Sequence, residues 1–196
     1  VLTVEEIDRI ISAVDRSKAE GQRNRAILET LYSCGLRVSE LVNLKLSDLY
    51  FDEGFIKVEG KGSKQRLVPI SPRAINEIKL YFTDRNRIEV KKEYEDFVFV
   101  SQRRGKGLSR IMIFHMIKEL AQTAGIIKNI SPHTFRHSFA THLLEGGANL
   151  RAIQCMLGHE SIATTEIYTH IDRNMLRSEI IEHHPRNIKY RKEKER

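Results

Sequence analysis

The chain has 196 residues, with 33 Lys+Arg against 26 Asp+Glu, a formal net charge of +7, and is 40% apolar and 30% charged. That composition excludes wholesale disorder and leaves enough chain for one or two small domains around a real core. No apolar run approaches the roughly eighteen residues of a membrane span and no signal-peptide pattern opens the chain. Cys34 and Cys155 are too few for a disulfide framework, so a reducing, cytoplasmic setting is expected.

Thr3-Val4-Glu5-Glu6 forms a capping box, and Ile7, Ile10, Ile11 and Val14 follow at helical spacing. A second helix is predicted from about Arg23 to Cys34, stopped by Gly35, and a short third one from Val38 carries Glu40, Leu41 and Leu44. The period then changes to two. Residues 55–59 and 66–70 flank Gly60-Lys61-Gly62-Ser63-Lys64, the pattern of a β-hairpin.

Helical spacing returns from Pro72 to about Phe82, followed by a charged connector from Asp84 to Asp96 and a short apolar stretch at Phe97–Val100. Further helices are predicted at about Ser109–Ala124, Pro132–Glu145, Asn149–Leu157, Thr164–Tyr168 and Asp172–Ile181. The class is mainly α with a small antiparallel β-sheet (α+β). Pro185 onward has almost nothing to bury and is expected to be a mobile basic tail over residues 185–196.

The charge is unevenly placed. Arg186–Arg196 holds six basic and two acidic residues, a net +4, so the other 185 residues carry only +3. Two blocks within them have no acid at all: Gly60–Arg73, with Lys61, Lys64, Arg66 and Arg73, and Ser101–Lys118, with Arg103, Arg104, Lys106, Arg110 and Lys118. Solvated loops explain such blocks as readily as phosphate contacts do.

Five small patterns carry possible chemistry. They are Gly35-Leu36-Arg37-Val38-Ser39-Glu40-Leu41, Lys61 in the hairpin turn, His133-Thr134-Phe135-Arg136, Leu157-Gly158-His159, and Tyr168. Each alone has a bland explanation; Arg37 and Glu40, for example, form an ordinary i, i+3 ion pair. Together they suit metal-free phosphoryl transfer. His133 and Arg136 share one face near a helix N-terminus, and two guanidinium forks can hold one phosphate from different sides. Lys61 can donate a proton, and Tyr168 is a nucleophile that needs nearby positive charge or a base. His133-Thr-Phe-Arg-His137 has zincin-like histidine spacing but lacks the glutamate base, and no zinc-finger cysteine pair exists. No metal and no cofactor are expected.

The set GLRVSEL, GKGSK, HTFRHSFATHLLEGG, LGH and a tyrosine nine residues beyond that histidine resembles the tyrosine recombinase (λ-integrase-like) family. GKGSKQRLVPIS, LGHESIATTEIYTHI and His183-His184-Pro185-Arg186 resemble its Xer branch. Phage and transposon integrases share most of the pattern. The resemblance spans essentially the whole chain and implies a DNA breaking and rejoining domain over residues 1–184.

In the roles it implies, Tyr168 attacks the scissile phosphodiester, Arg37 and Arg136 clamp it and His159 hydrogen-bonds it. Lys61 protonates the leaving 5′-oxygen, His133 assists at the tyrosine, and Glu40 orients Arg37. Lys64, Arg66, Arg103, Arg104, Lys106 and Arg110 are candidate DNA contacts by charge. The implied partners are double-stranded DNA with a specific recombination site and further recombinase protomers. Four protomers on paired sites, a paralogue among them and an accessory activator are further expectations. The start at Val1 suggests a catalytic domain without the family's N-terminal core-binding domain, and Asp172–Ile181 a helix passed to a neighbouring protomer, with Met175, Leu176, Ile180 and Ile181 as its anchors.

Overall fold

The computed structural model describes residues 1–131, 133–158 and 173–187. Helix α1 (Val4–Ser12) begins at the expected capping box, with Thr3 Oγ1 accepting from Glu6 N–H and Glu6 reaching back to Thr3 N–H. It buries Ile7, Ile10 and Ile11. Helix α2 (Gly21–Cys34) is buried all round over its second half, from Ala26 to Cys34, polar Glu29, Thr30 and Ser33 included, which makes it the central strut of the core. It stops at Gly35, which takes the left-handed conformation at φ +65°. A Cβ there would lie 2.3 Å from the Phe139 ring, so the glycine also permits a close helix approach.

Helix α3 (Val38–Val42) leads into a three-stranded antiparallel sheet of β1 (Leu49–Tyr50), β2 (Phe55–Glu59) and β3 (Gln65–Pro69), in that order. The hairpin is as expected. The edge strand β1 is an addition, too short for alternation to reveal. Val58 pairs with Arg66 and Glu59 with Gln65, so the register ends beside the Lys61 turn.

Helix α4 (Pro72–Arg85) lies along α2, and Ser71 caps it before a proline in its first turn. It runs past the expected end at Phe82. Arg85 donates to the carbonyls of Glu95, Phe97 and Val98, which ties down the charged connector. Helices α5 (Arg110–Thr123), α6 (Thr134–Glu145), α7 (Leu150–Leu157) and α8 (Arg173–His183) complete the described elements. His133, not Pro132, stands at the N-cap of α6; Pro132 and the helix expected near Thr164–Tyr168 lie outside the described residues.

Helix α8 packs on β3 and α7 of its own domain, with Leu176 and Ile180 buried and Met175 and Ile181 partly so. The first residues of the expected tail are packed rather than exposed. His184, Arg186 and Asn187 are all buried, because the Arg186 guanidinium pairs with Asp8 of α1 and Glu29 of α2. A cation with two carboxylates waiting for it has a reason to fold that the local sequence does not display.

Candidate active site

The site is assembled where the end of α2, the start of α6 and the end of α7 meet. Gly35 ends α2, Arg37 then holds extended backbone as the N-cap of α3, and the Arg37 N–H donates to Glu40 Oε1 at 2.9 Å. This places the Arg37 guanidinium 3.6 Å from Glu40 Oε2, the expected i, i+3 pair. Arg136 arrives from the first turn of α6. Its Nη1 donates to Gly35 O at 2.8 Å and its Nη2 to Leu157 O at 2.6 Å, while Nη1 stands 3.9 Å from Glu40 Oε1. One arginine therefore ties the end of α2 to the end of α7.

A third arginine completes the cluster. Arg66 of β3 donates through Nη1 to Glu40 Oε2 at 2.6 Å and through Nη2 to Oε1 at 3.0 Å, and its Nε donates to Met156 O at 2.9 Å. Its side chain is 9% exposed. Arg66, one of the candidate DNA contacts, turns its fork inward onto this carboxylate.

Glu40, 2% exposed, is the hub. Burial alone would raise its carboxyl, but the Arg66 hydrogen bond and charge, with the Arg37 N–H and Arg136, hold it below the usual carboxylate range. Burial, and then the neighbouring Arg37 charge, push Arg136 down to about 10, still protonated at neutral pH. Three guanidinium groups around one carboxylate leave a net +2 facing the partly exposed Arg37 side. Such a centre suits an anion with oxygens to share between two forks.

Lys61 is exposed at the hairpin tip in a one-turn 3-10 segment, Lys61–Ser63, with Gly62 at φ +71°. His133 is exposed at the N-cap of α6, three residues before Arg136. Tight β-pairing and a helix start therefore carry two polar groups on the same elements that carry Arg66 and Arg136. His159 and Tyr168 lie outside the described residues. Lys64, Arg103, Arg104, Lys106 and Arg110 are exposed, the last four around a turn closed by a Val100–Gly107 bridge.

Sequence reasoning missed the carbonyls of Gly35, Met156 and Leu157 as anchors, and Arg66 as part of the hub. The available signal was glycine: a Cβ on Gly158 would lie 3.1 Å from Arg66, and one on Gly60 would lie 3.1 Å from Arg66 Nη1 and 3.3 Å from Glu40 Oε2. Among the described residues, no group of three His, Cys, Asp or Glu could hold a metal ion, and no helix is long and apolar enough to cross a membrane.

The profile of the phage integrase family matches residues 1–175. The chain is 44% identical over 185 residues to tyrosine recombinase XerD of Halalkalibacterium halodurans, covering 94% of this chain and 62% of that protein. It is 47% identical over 189 residues to tyrosine recombinase XerD of Chlorobaculum tepidum, covering 95% and 62%. The crystal structure of XerA recombinase aligns at a TM-score of 0.72 and 37% identity, over 90% of this chain and 62% of that one. The chain thus spans 62% of the length of each of these curated relatives.

Proposed function

The chain belongs to the phage integrase family, and from that premise we propose that it is the catalytic domain of an Xer-type tyrosine recombinase, which cuts and rejoins double-stranded DNA at a specific site. The observation that carries this reading is the convergence of Arg37 and Arg136, 99 residues apart in sequence, on the single buried carboxylate of Glu40. The net +2 centre they form with Arg66 fits the charge and the non-bridging oxygens of a phosphodiester.

In the proposed reaction the Tyr168 oxygen attacks the scissile phosphorus. A new tyrosyl O–P bond forms and the bond to the 5′-oxygen breaks, leaving a 3′-phosphotyrosyl link. Lys61 gives its proton to the departing 5′-oxygen, while His133 takes up the tyrosine proton. Arg37, Arg136 and His159 stabilise the extra charge on the equatorial oxygens, the fixed-cation form of transition-state stabilisation. The 5′-hydroxyl of a partner strand then attacks the phosphotyrosyl phosphorus and expels the tyrosine. Bond energy is conserved, so no ATP is needed, and two such exchanges pass through a Holliday junction. Four recombinase protomers, alike or mixed with a paralogue, would hold the paired sites, with an accessory activator as a further partner and the cytoplasm as the setting.

Support for the substrate comes from XerH site-specific recombinase bound to difH substrate, which aligns at a TM-score of 0.71 and 29% identity. The exposed cations Arg103, Arg104, Lys106 and Arg110 supply charge for the flanking DNA backbone. The test is incubation with nicked suicide duplexes carrying dif-type sites, in EDTA, followed by a denaturing gel. A covalent protein–DNA adduct is expected from the wild type and none from Tyr168→Phe. An adduct that persists in Tyr168→Phe, or DNA retention without any adduct, overturns the reading.

A further inference from the structure

Arg66 is charged, almost fully buried, and donates to protein from each of its three nitrogens. Both oxygens of Glu40 accept from it, at 2.6 and 3.0 Å. The guanidinium groups of Arg37 and Arg136 come no closer to the same carboxylate than 3.6 and 3.9 Å, outside hydrogen-bond reach. They feel the charge of Glu40 but are not held by it.

A buried carboxylate that loses its hydrogen-bonding partner takes the nearest replacement, because an uncompensated buried charge is costly. Here the nearest replacements are the two arginines aimed at the phosphate. We propose that Arg66 is a positioning residue: by occupying both oxygens of Glu40 it keeps that carboxylate from drawing Arg37 and Arg136 away from the phosphate. The same side chain holds the hairpin to the end of α7. Its fork packs against Gly60, the residue before Lys61, while its Nε bonds Met156 O and its Cδ lies 3.1 Å from where a Cβ at position 158 would stand. One residue thus sets the spacing between the Lys61 turn, the arginine pair and the segment that leads to His159.

This inference rests on the recombinase reading, and the experiment separates the two. Adduct formation on the nicked duplex is followed in a single turnover at saturating DNA, with DNA affinity measured in parallel, for the wild type, Arg66→Met and Glu40→Gln/Arg66→Met. Arg66→Met is expected to lose about 100-fold in rate at saturation, the scale of losing a transition-state donor, with affinity within about threefold because Arg66 is not a DNA contact. The double variant, which has no carboxylate left to capture the pair, is expected to recover about tenfold over Arg66→Met. Should Arg66→Met fail to fold, Arg66→Lys replaces it in the same comparison. Absence of recovery in the double variant, or weakened binding at an unchanged saturating rate, overturns the assignment of Arg66 alone. A wild type that forms no adduct overturns the recombinase reading and this inference with it.

Discussion

Arg136 Nη2 donates to the carbonyl of Leu157 at 2.6 Å while its Nη1 donates to the carbonyl of Gly35 at 2.8 Å. One planar fork therefore closes the ends of α2 and α7 across the molecule. The first prediction tests that geometry. Arg136→Lys keeps the charge but has a single point donor and cannot reach both carbonyls. It is expected to lower the adduct-forming rate by about 100-fold and the stability by about 2 kcal/mol, since hydrogen bonds from charged groups contribute about 1.5–3 kcal/mol each. Gel kinetics and urea unfolding check the two parts.

A paired glycine comparison tests close packing against backbone strain. Gly35→Ala places a Cβ 2.3 Å from Phe139 at φ +65°, so overpacking and left-handed strain add to about 3 kcal/mol. Gly62→Ala, at φ +71° on the open hairpin tip, has no atom within 4 Å of the new Cβ and should cost only about 1 kcal/mol. Equal midpoint shifts in urea would contradict the packing at Gly35.

Arg186 provides a test of the C-terminal segment. Its guanidinium pairs with Asp8 and with Glu29, whose side chain is 1% exposed and also pairs with Arg73 at 3.2 Å. Breaking a buried pair from one side leaves the Glu29 carboxylate with Arg73 in place of two guanidinium partners, so Arg186→Met is expected to destabilise the domain by about 3 kcal/mol. Deleting residues 185–196 should cost a similar amount. A loss below about 0.5 kcal/mol, the range of ordinary surface changes, would restore the expectation of a mobile tail from Pro185.

Stability should also depend on pH in a defined window. His184 is fully buried; its Nε2 bonds Tyr32 O at 2.9 Å and its Nδ1 accepts the Arg186 N–H at 3.2 Å. Both ring nitrogens serve a neutral ring. Burial pushes the folded pKa down from 6.5 to about 4, and burial lowers that of His142, which also packs edge-on to Tyr32, in the same direction. The unfolded chain therefore binds protons that the folded one refuses. Stability is complete above about pH 6.5 and is lost as pH falls from there to about 4, by about 3 kcal/mol from His184. Urea midpoints between pH 4 and 7 should show this slope, and His184→Gln should flatten it.

Most helices, the hairpin and the Arg37–Glu40 pair were legible because each depends on short-range spacing. The capping box at Thr3, the stop at Gly35, the alternation from Phe55 to Glu59 and the i, i+3 pairs Arg37–Glu40 and His133–Arg136 are all local. Strand β1 was not legible, since two residues carry no period. The packing of the C-terminal segment was not legible either, because a run of basic residues looks solvated until its carboxylates are known.

The sequence by itself determined which side chains are present, on which kinds of element, and through their joint pattern the family. Only the tertiary structure decided which partner each charge takes. Glu40 looked like the partner of Arg37, three residues away, but its close hydrogen bonds come from Arg66, 26 residues away, which in turn holds Met156, 90 residues further along. Arg186 looked like tail charge and closes on Glu29, 157 residues distant. A buried ion pair forms where desolvation is offset by complete hydrogen bonding, and that depends on how remote segments pack, not on the spacing of residues along the chain.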